Sequence, residues 1–390
     1  MLQTQQETVS PVEMEHSLPA LDKNRAFASF YRPELDLLRF FAFLLVFLHH
    51  VLPNSADDYA GYLSPGAARL MAAFACLCGY GLCLFFALSA YLIAELLLRE
   101  KRRTRTIRVQ SFYIRRILRI WPLYTIALLI GAAYALLRGS HEDLWRMLSY
   151  LLMVGNWFSV LHGWSANCMT PLWSISVEEQ FYLVWPPLMK WLGKTGLFIC
   201  CGTGIVVANA FLFLLGQRHA NVYSVVWANS FVQFEMFAVG ALLAIILRGK
   251  TARAGTLMRV FITALAGCAW FVSVYNCKAF GTGVAISGSE LMVGYVLTAA
   301  GCAGFLYAVL GWNVDPGGLL VYLGKISYGL YVFHLLGLLC AKLLLQKIQL
   351  PLFGGASRAL LGLAFTVAFA FFSYQFIELP FLKIKSRFAT

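Results

Sequence analysis

The chain has 390 residues, of which 60% are hydrophobic and only 13% charged, and its mean hydropathy is +0.71. Soluble domains average about 45–50% apolar and about 25% charged residues, and a globule of this length could not bury the excess while covering its surface with polar groups, so soluble, disordered and fibrous classes are excluded in favour of a polytopic membrane protein. The net charge of +13 would suggest nucleic acid in a soluble protein; in a membrane protein its placement matters instead, and no nucleic-acid partner is expected.

Residues 1–31 are mostly polar, with Pro11 and Pro19, and are expected to form a flexible cytoplasmic tail. They lack the features of a cleaved signal peptide, so the first apolar segment is expected to stay as an anchor. A spanning helix needs about 20 mostly apolar residues. That criterion places spans near 35–52, 70–98, 117–137, 172–192, 196–215, 231–247, 257–275, 290–310, 320–344 and 358–377, ten in all. The run 147–160 is apolar but short and is expected not to cross. Nine Lys and Arg fall between Arg99 and Arg119, which assigns that loop to the cytoplasm. With ten spans, 23 of the 31 Lys and Arg lie on the cytoplasmic side, and both termini are cytoplasmic. The expected fold is an all-α transmembrane bundle over residues 32–382, followed by a short basic tail, 383–390. No internal repeat is evident, which weakens a transporter reading, since many transporters carry one. Ten cysteines are present, mostly within apolar runs where Cys acts as a small hydrophobe. Neither a disulfide framework nor a metal site is expected.

Ionisable residues within spans are functional candidates by default. The first span carries Asp36, Arg39, His49 and His50. Arg39 and His50 are eleven apart, about three turns, so they share a face at a separation of roughly 16 Å. Asp36 lies one turn beyond Arg39, and His49 sits about 100° round from His50. One reading is a base at one end of a path and an anion contact at the other. The alternative is that Arg39 snorkels to headgroups and the histidines sit at the interface. In SFYIRRILRIWPLY, Arg115, Arg116 and Arg119 could fork onto phosphates or simply anchor the third span. In TPLWSISVEEQFYLVWP, Glu178 and Glu179 are two adjacent acids at membrane depth that need a partner. A glutamate can orient a histidine and raise its basicity, or bond to another helix. His334, with Tyr328 and Tyr331, and Glu378, just before Pro380, complete the set. No nucleophile elbow, metalloprotease pair, phosphate loop or dinucleotide fingerprint appears.

In this order, the pieces RPELDLLRF with the later histidine, FFALSAYLI, RRILRIWPLY, PLWSISVEEQFYLVWP, GKISYGLYVFH and IELPF resemble the acyltransferase 3 family of integral membrane O-acyltransferases, over residues 32–381. The resemblance implies transfer of an acyl group, most simply acetyl, from acyl-CoA to a hydroxyl of a carbohydrate, glycolipid or similar acceptor, with the bacterial inner membrane as the usual home and no metal. Its arginine-ten-residues-histidine element falls on Arg39 and His50, its Arg-x-x-Arg element on Arg116 and Arg119, which would serve the acyl-CoA, and its glutamate on Glu178. Ala90 stands where glycine is usual and Leu379 where arginine is common. Some members carry an added hydrolase-like domain; nine residues follow Phe381, so none is expected here. The implied roles are His50 as general base, oriented by Glu178 or Asp36, with Arg39, Arg115, Arg116 and Arg119 toward the donor. Ser89 and Tyr182 are candidate nucleophiles for a covalent route. The loops 53–69 and 159–170 are candidates to line the acceptor's entrance. The competing class is a transporter or flippase of a polar lipid, and a third is a membrane sensor or scaffold.

Overall fold

The computed structural model describes residues 31–251, 254–277, 286–348 and 354–385. Among them the regular elements are all helical: α1 (Pro33–Val51), α2 (Pro65–Cys78), α3 (Gly81–Thr104), α4 (Val109–Leu137), α5 (His141–Leu151), α6 (Gly155–His162), α7 (Leu172–Trp191), α8 (Lys194–Gln217), α9 (Ser230–Leu247), α10 (Thr256–Tyr275), α11 (Gly288–Val309), α12 (Leu319–Lys325), α13 (Ser327–Lys347), α14 (Gly354–Ser373) and α15 (Leu379–Lys385). Short π-helical turns cover Val222–Val226 and Tyr374–Glu378. The protein is an all-α polytopic membrane protein.

Eight helical stretches among the described residues are long and apolar enough to cross a membrane: Pro65–Thr104, α4, α8, α9, α10, α11, α13 and Gly355–Ile384. They fall on eight of the ten expected spans. The other two are α1 and α7, with 19 and 20 residues. Their lengths, about 29–30 Å, suffice, but they carry Glu34, Asp36 and Arg39, and Glu178, Glu179 and Lys190. Thus the two expected spans that carry these charges also hold much of the candidate site.

Two of the expected spans are each interrupted by a break between helices. The span at 70–98 is two helices, α2 and α3, meeting at Gly79–Tyr80; Ser64 caps α2 through the Ala67 N–H (3.4 Å), with Pro65 at its start, as helix-start chemistry favours. The span at 320–344 is broken at Ile326 between α12 and α13. The run 147–160 is shared by α5 and α6, of 11 and 8 residues, roughly 16 and 12 Å long, so neither crosses alone. Up to residue 30 the expected tail lies outside the described residues. Of the expected basic tail, 383–385 belong to α15 and the rest lies outside them.

α3 packs against α1, α7, α9 and α11. Small residues make this close approach possible, as is usual between membrane helices. Ala87, Ala90 and Ala94 of α3 and Ala241 and Ala244 of α9 are fully buried, and a Cβ on Gly240 would stand 2.0 Å from the Ala87 carbonyl oxygen. Peripheral helices are reversed relative to a soluble protein. Ile199 and Val206 on α8, Leu257 and Phe261 on α10, and Leu360 and Phe372 on α14 are exposed, which suits contact with lipid. At its far end α7 stops after Pro186 and Pro187, and Lys101 Nζ donates to the carbonyls of Met189 (2.7 Å), Lys190 (3.1 Å) and Leu192 (2.9 Å), which satisfies acceptors that a helix end leaves open.

Gly240→Val is expected to force α3 and α9 apart and cost about 3 kcal/mol, read as an earlier thermal unfolding transition in detergent. Gly202→Val on α8, where an added Cβ meets nothing within 4 Å, is expected to stay within about 0.5 kcal/mol of wild type.

Candidate active site

One end of the site begins on α1. Asp36 and Arg39 are three apart, so they meet on one face, and Arg39 Nη1 donates to Asp36 Oδ1 at 2.7 Å. α12 pins the backbone there, since a Cβ on Gly324 would fall 1.8 Å from the Asp36 carbonyl oxygen. α4 brings Arg116 and Arg119 to the same end, and Arg39, Arg116 and Arg119 lie within electrostatic range of one another. The Arg116 guanidinium sits over the rings of Phe112 (5.4 Å) and Tyr182 (5.3 Å), a cation–π arrangement. Glu178 is in range of Arg116 and Glu378 in range of Arg119. Neither carboxylate comes within ion-pair distance, and among the described residues Arg116 and Arg119 make no ion pair. Three guanidinium groups gathered in a low-dielectric interior are costly unless an anion offsets them, and two of these keep their N–H groups available for one. Arg115 stands apart, 3.4 Å from Glu100. Glu378 is buried and accepts from Ser373 Oγ at 3.4 Å.

α7 forms the middle of the site. Ser174, Glu178 and Tyr182 recur every four residues and share one face. Tyr182 donates a hydrogen bond to Glu178, and Ser89 of α3 is within hydrogen-bonding reach of Tyr182. The neighbouring Glu179 leaves Oε1 buried with no hydrogen-bond partner. Ser174 Oγ and Tyr331 OH are 2.6 Å apart, and Tyr331 OH also reaches the Pro171 carbonyl at 3.3 Å.

The other end is a histidine cluster. His50 Nδ1 lies 2.8 Å from the Val46 carbonyl, His49 Nδ1 2.9 Å from the Ala75 carbonyl and His334 Nδ1 2.6 Å from the Tyr331 carbonyl. A carbonyl can only accept, so each contact assigns the imidazole hydrogen to Nδ1. His50 Nε2 is then a bare lone pair. The His50 and His334 rings meet edge to face, 4.8 Å between centroids. His49 and His334 are buried, whereas His50 is set deep among protein atoms yet keeps an open side. That open side faces a cavity of about 160 Å³ lined by His49, His50, Trp164, Ser165, Thr170, Trp173, Tyr223, Trp227 and Tyr331, among others. Trp164 packs on Trp173 (5.4 Å) and Tyr223 (5.8 Å) and donates to the Tyr223 carbonyl at 2.9 Å.

The structure therefore brings together Arg39, Arg116, Arg119, Glu178, Tyr182 and Ser89 at one end, and His49, His50 and His334 at the other. Glu178 bonds to Tyr182 and Asp36 to Arg39, and neither carboxylate bonds to the imidazole. Arg115 is tied to Glu100. Of the two expected entrance loops, 159–170 contributes Trp164, Ser165 and Thr170 to the cavity, while 53–69 contributes none of its lining; there Tyr59 OH folds back onto the Pro53 carbonyl at 3.0 Å. Sequence reasoning missed His334 as the neighbour of His50, and Tyr223 and Trp227 as walls. The three-residue steps Tyr328, Tyr331, His334 carried the first signal, since they mark one helical face. Among the described residues no group of three His, Cys, Asp or Glu side chains is placed to hold a metal ion.

A helical membrane bundle with a half-buried arginine cluster, a carboxylate–tyrosine pair and a histidine-lined cavity is the arrangement expected of a membrane group-transfer protein. The chain belongs to the Acyl_transf_3 family, an acyltransferase domain, whose model matches residues 32–375. It is 25% identical over 397 residues to a protein named "Putative O-acetyltransferase" from Staphylococcus aureus (strain MSSA476), with 93% of this chain and 60% of the relative covered. It is likewise 25% identical over 382 residues to the peptidoglycan O-acetyltransferase OatA of Listeria monocytogenes serovar 1/2a (strain ATCC BAA-679 / EGD-e), with 90% and 56% covered. A third relative, named "Putative peptidoglycan O-acetyltransferase YrhL", from Bacillus subtilis (strain 168), is 25% identical over 386 residues, with 90% and 55% covered. The chain thus spans 55–60% of the length of these curated relatives. No solved structure matches.

Asp36→Asn leaves Arg39 unpaired and is expected to cost about 3 kcal/mol, measured by thermal unfolding. The double change Asp36→Asn with Arg39→Met is expected to recover most of that loss, because removing both charges together is nearly neutral.

Proposed function

We propose that this protein is a membrane O-acyltransferase that moves an acetyl group from acetyl-CoA to a hydroxyl of a cell-envelope glycan. The observation that carries the reading is the pairing of two ends in one bundle: guanidinium groups with free N–H donors at one, and a bare imidazole Nε2 facing an aromatic-walled cavity at the other. Arg39 and His50, on one face of α1, are separated by about 16 Å, a distance an extended thioester arm can bridge. The loop carrying nine Lys and Arg adjoins the arginine end, so this end faces the cytoplasm, the histidine end faces outward and both termini are cytoplasmic. The setting we infer for the protein is a bacterial plasma membrane.

Arg116 and Arg119 fork onto donor phosphates, and Arg39, held by Asp36, adds positive potential along the path. Acetyl-CoA supplies a thioester, an activated acyl carbon. His50 Nε2 removes the proton from the acceptor hydroxyl, and the oxygen forms its bond to the acyl carbon as the carbon–sulfur bond breaks. The proton then passes from His50 to the departing sulfur. The products are an ester and free CoA. General-base help of this kind is worth about 10²–10⁴-fold. Because Nδ1 is committed to Val46, the backbone carbonyl, not a carboxylate, sets the ring's tautomer and orientation. Glu178 acts at the other end, where it holds Tyr182 beneath Arg116. Trp164, Trp173, Trp227 and Tyr223 offer flat apolar faces, and Ser165 and Thr170 offer hydroxyls, a combination suited to a sugar ring. The peptidoglycan named for two relatives supports the same acceptor class.

The test is purified protein in nanodiscs, titrated with acetyl-CoA while thermal stability and free CoA are followed. Wild type is expected to be stabilised and to release CoA slowly. Arg116→Ala is expected to lose the stabilisation, and His50→Ala to keep it while CoA release falls about 10²-fold or more. Binding without CoA release by wild type would instead point to passage of a polar lipid or donor through the bundle.

A further inference from the structure

His334 lies on α13 within the histidine cluster and is fully buried. Its Nδ1 is committed to the Tyr331 carbonyl, and its Nε2 is buried with no hydrogen-bond partner. A buried acceptor without a partner costs stability, and this one stands in a ring that touches the His50 ring, 4.8 Å between centroids. In the resting state both histidines carry their hydrogen on Nδ1, so neither Nε2 can donate to the other. That changes when His50 takes up a proton.

We propose that His334 is a positioning residue for His50: its Nε2 accepts the proton that His50 has taken from the acceptor hydroxyl, so the two imidazoles hold that one proton between them. The inference rests on His50 being the base. The balance is simple. The acceptor O–H bond breaks as His50 Nε2–H forms; that proton is shared with His334 Nε2 while His334 Nδ1–H stays on Tyr331; the proton then returns through His50 to the departing sulfur. The two rings cannot both be charged at this distance, so the pair titrates as a unit. The interaction arises only as positive charge develops on His50, which is when a stabilising contact accelerates the reaction rather than tightening the ground state.

The surroundings permit this. Facing the pair are His49 from α1, itself committed to the Ala75 carbonyl of α2, and Tyr331 from α13, committed to Ser174. Glu178 from α7 and Tyr150 from α5 act on the cluster only through Tyr331. Glu378 acts further down α13, at Tyr328, whose OH donates to the Ile120 carbonyl of α4 at 3.0 Å. α14 presents the non-titrating Thr366 to Gly337. No carboxylate bonds to either ring, and the His334 ring lies nearer to His50 (4.8 Å) than the His49 ring does (5.2 Å), so the lone pair of His334 is placed to support a charged His50.

The test uses the full chain in nanodiscs with acetyl-CoA as donor and an N-acetylglucosamine tetramer as acceptor, reading free CoA across pH for wild type, His334→Phe, His334→Gln and His50→Ala. Phenylalanine keeps a flat ring against His50 and removes the lone pair; glutamine retains a carbonyl acceptor. With its support removed, His50 binds a proton less tightly and is a weaker base. His334→Phe is therefore expected to lower kcat about 10–100-fold with an unchanged KM for acetyl-CoA, and to move the acid limb of kcat/KM about one unit to lower pH. His334→Gln is expected to recover part of both effects. A phenylalanine variant that binds acetyl-CoA like wild type and whose pH profile superimposes on the wild-type curve would overturn the proposal and leave His334 as packing. No CoA release by wild type, or undiminished release by His50→Ala, would remove the base on which the proposal rests, and the proposal with it.

Discussion

An ionisable side chain inside a membrane protein must find its partners within the protein, because hydrocarbon offers none. This constraint orders the bundle. Asp36 is answered by Arg39, Glu95 by Arg99 at 2.5 Å, Glu235 by Asn209 at 3.2 Å and Glu34 by the Gly311 N–H at 3.1 Å. The helices with most of this chemistry, α1 and α7, are held among neighbours, while α8, α10 and α14 present apolar side chains outward. Against that background, Arg116 and Arg119 stand out because no ion pair among the described residues claims them. His50 stands out because its ring lines a cavity.

Charge and polarity also connect the two ends. Tyr182 and Ser174 are on one face of α7; Tyr182 touches the arginine cluster and Ser174 touches Tyr331, whose carbonyl holds His334. α13 and α7 are thus joined by hydroxyl contacts where α1 and α3 are joined by close backbone approach: a Cβ on Gly81 would lie 2.5 Å from the Ala42 carbonyl oxygen. Seams of this second kind have little freedom to slide, so the spacing between Arg39 and His50 is set by a single continuous helix braced on its neighbours.

The membrane class, most spans and nearly every member of the two clusters were legible in the sequence, because apolar length and rare charges are one-dimensional signals. Arg39 and His50 could be placed on one face by counting alone. Partner choice was not legible. Whether Glu178 meets an imidazole on another helix or a tyrosine four residues along its own depends on how α7 is rotated, and local bonding to Tyr182 prevailed. The break at Gly79–Tyr80 interrupts a run that stays apolar throughout, and that at Ile326 lies in an otherwise apolar run beside the single charge of Lys325, so hydropathy passes over both. The cavity walls were half legible: 159–170 was singled out as a candidate entrance loop, but Trp227 arrives with a π-helical turn that leaves no period in the sequence.

The segment 163–171, which supplies Trp164, Ser165, Thr170 and Pro171 to the cavity, has no helical ladder of its own. It starts at Gly163, whose φ of +75° suits a residue without a Cβ, and is tied down by side chains. Arg146 donates to the Gly163 carbonyl (2.9 Å), Ser165 donates to Asp143 (2.5 Å) and Asn167 donates to the Gly131 carbonyl (3.1 Å). Trp164 and the residues between these tethers can therefore be exchanged without altering a helix-to-helix contact. The wall of the cavity beside His50 and the helices that carry the arginine cluster are thus separately variable parts of one chain.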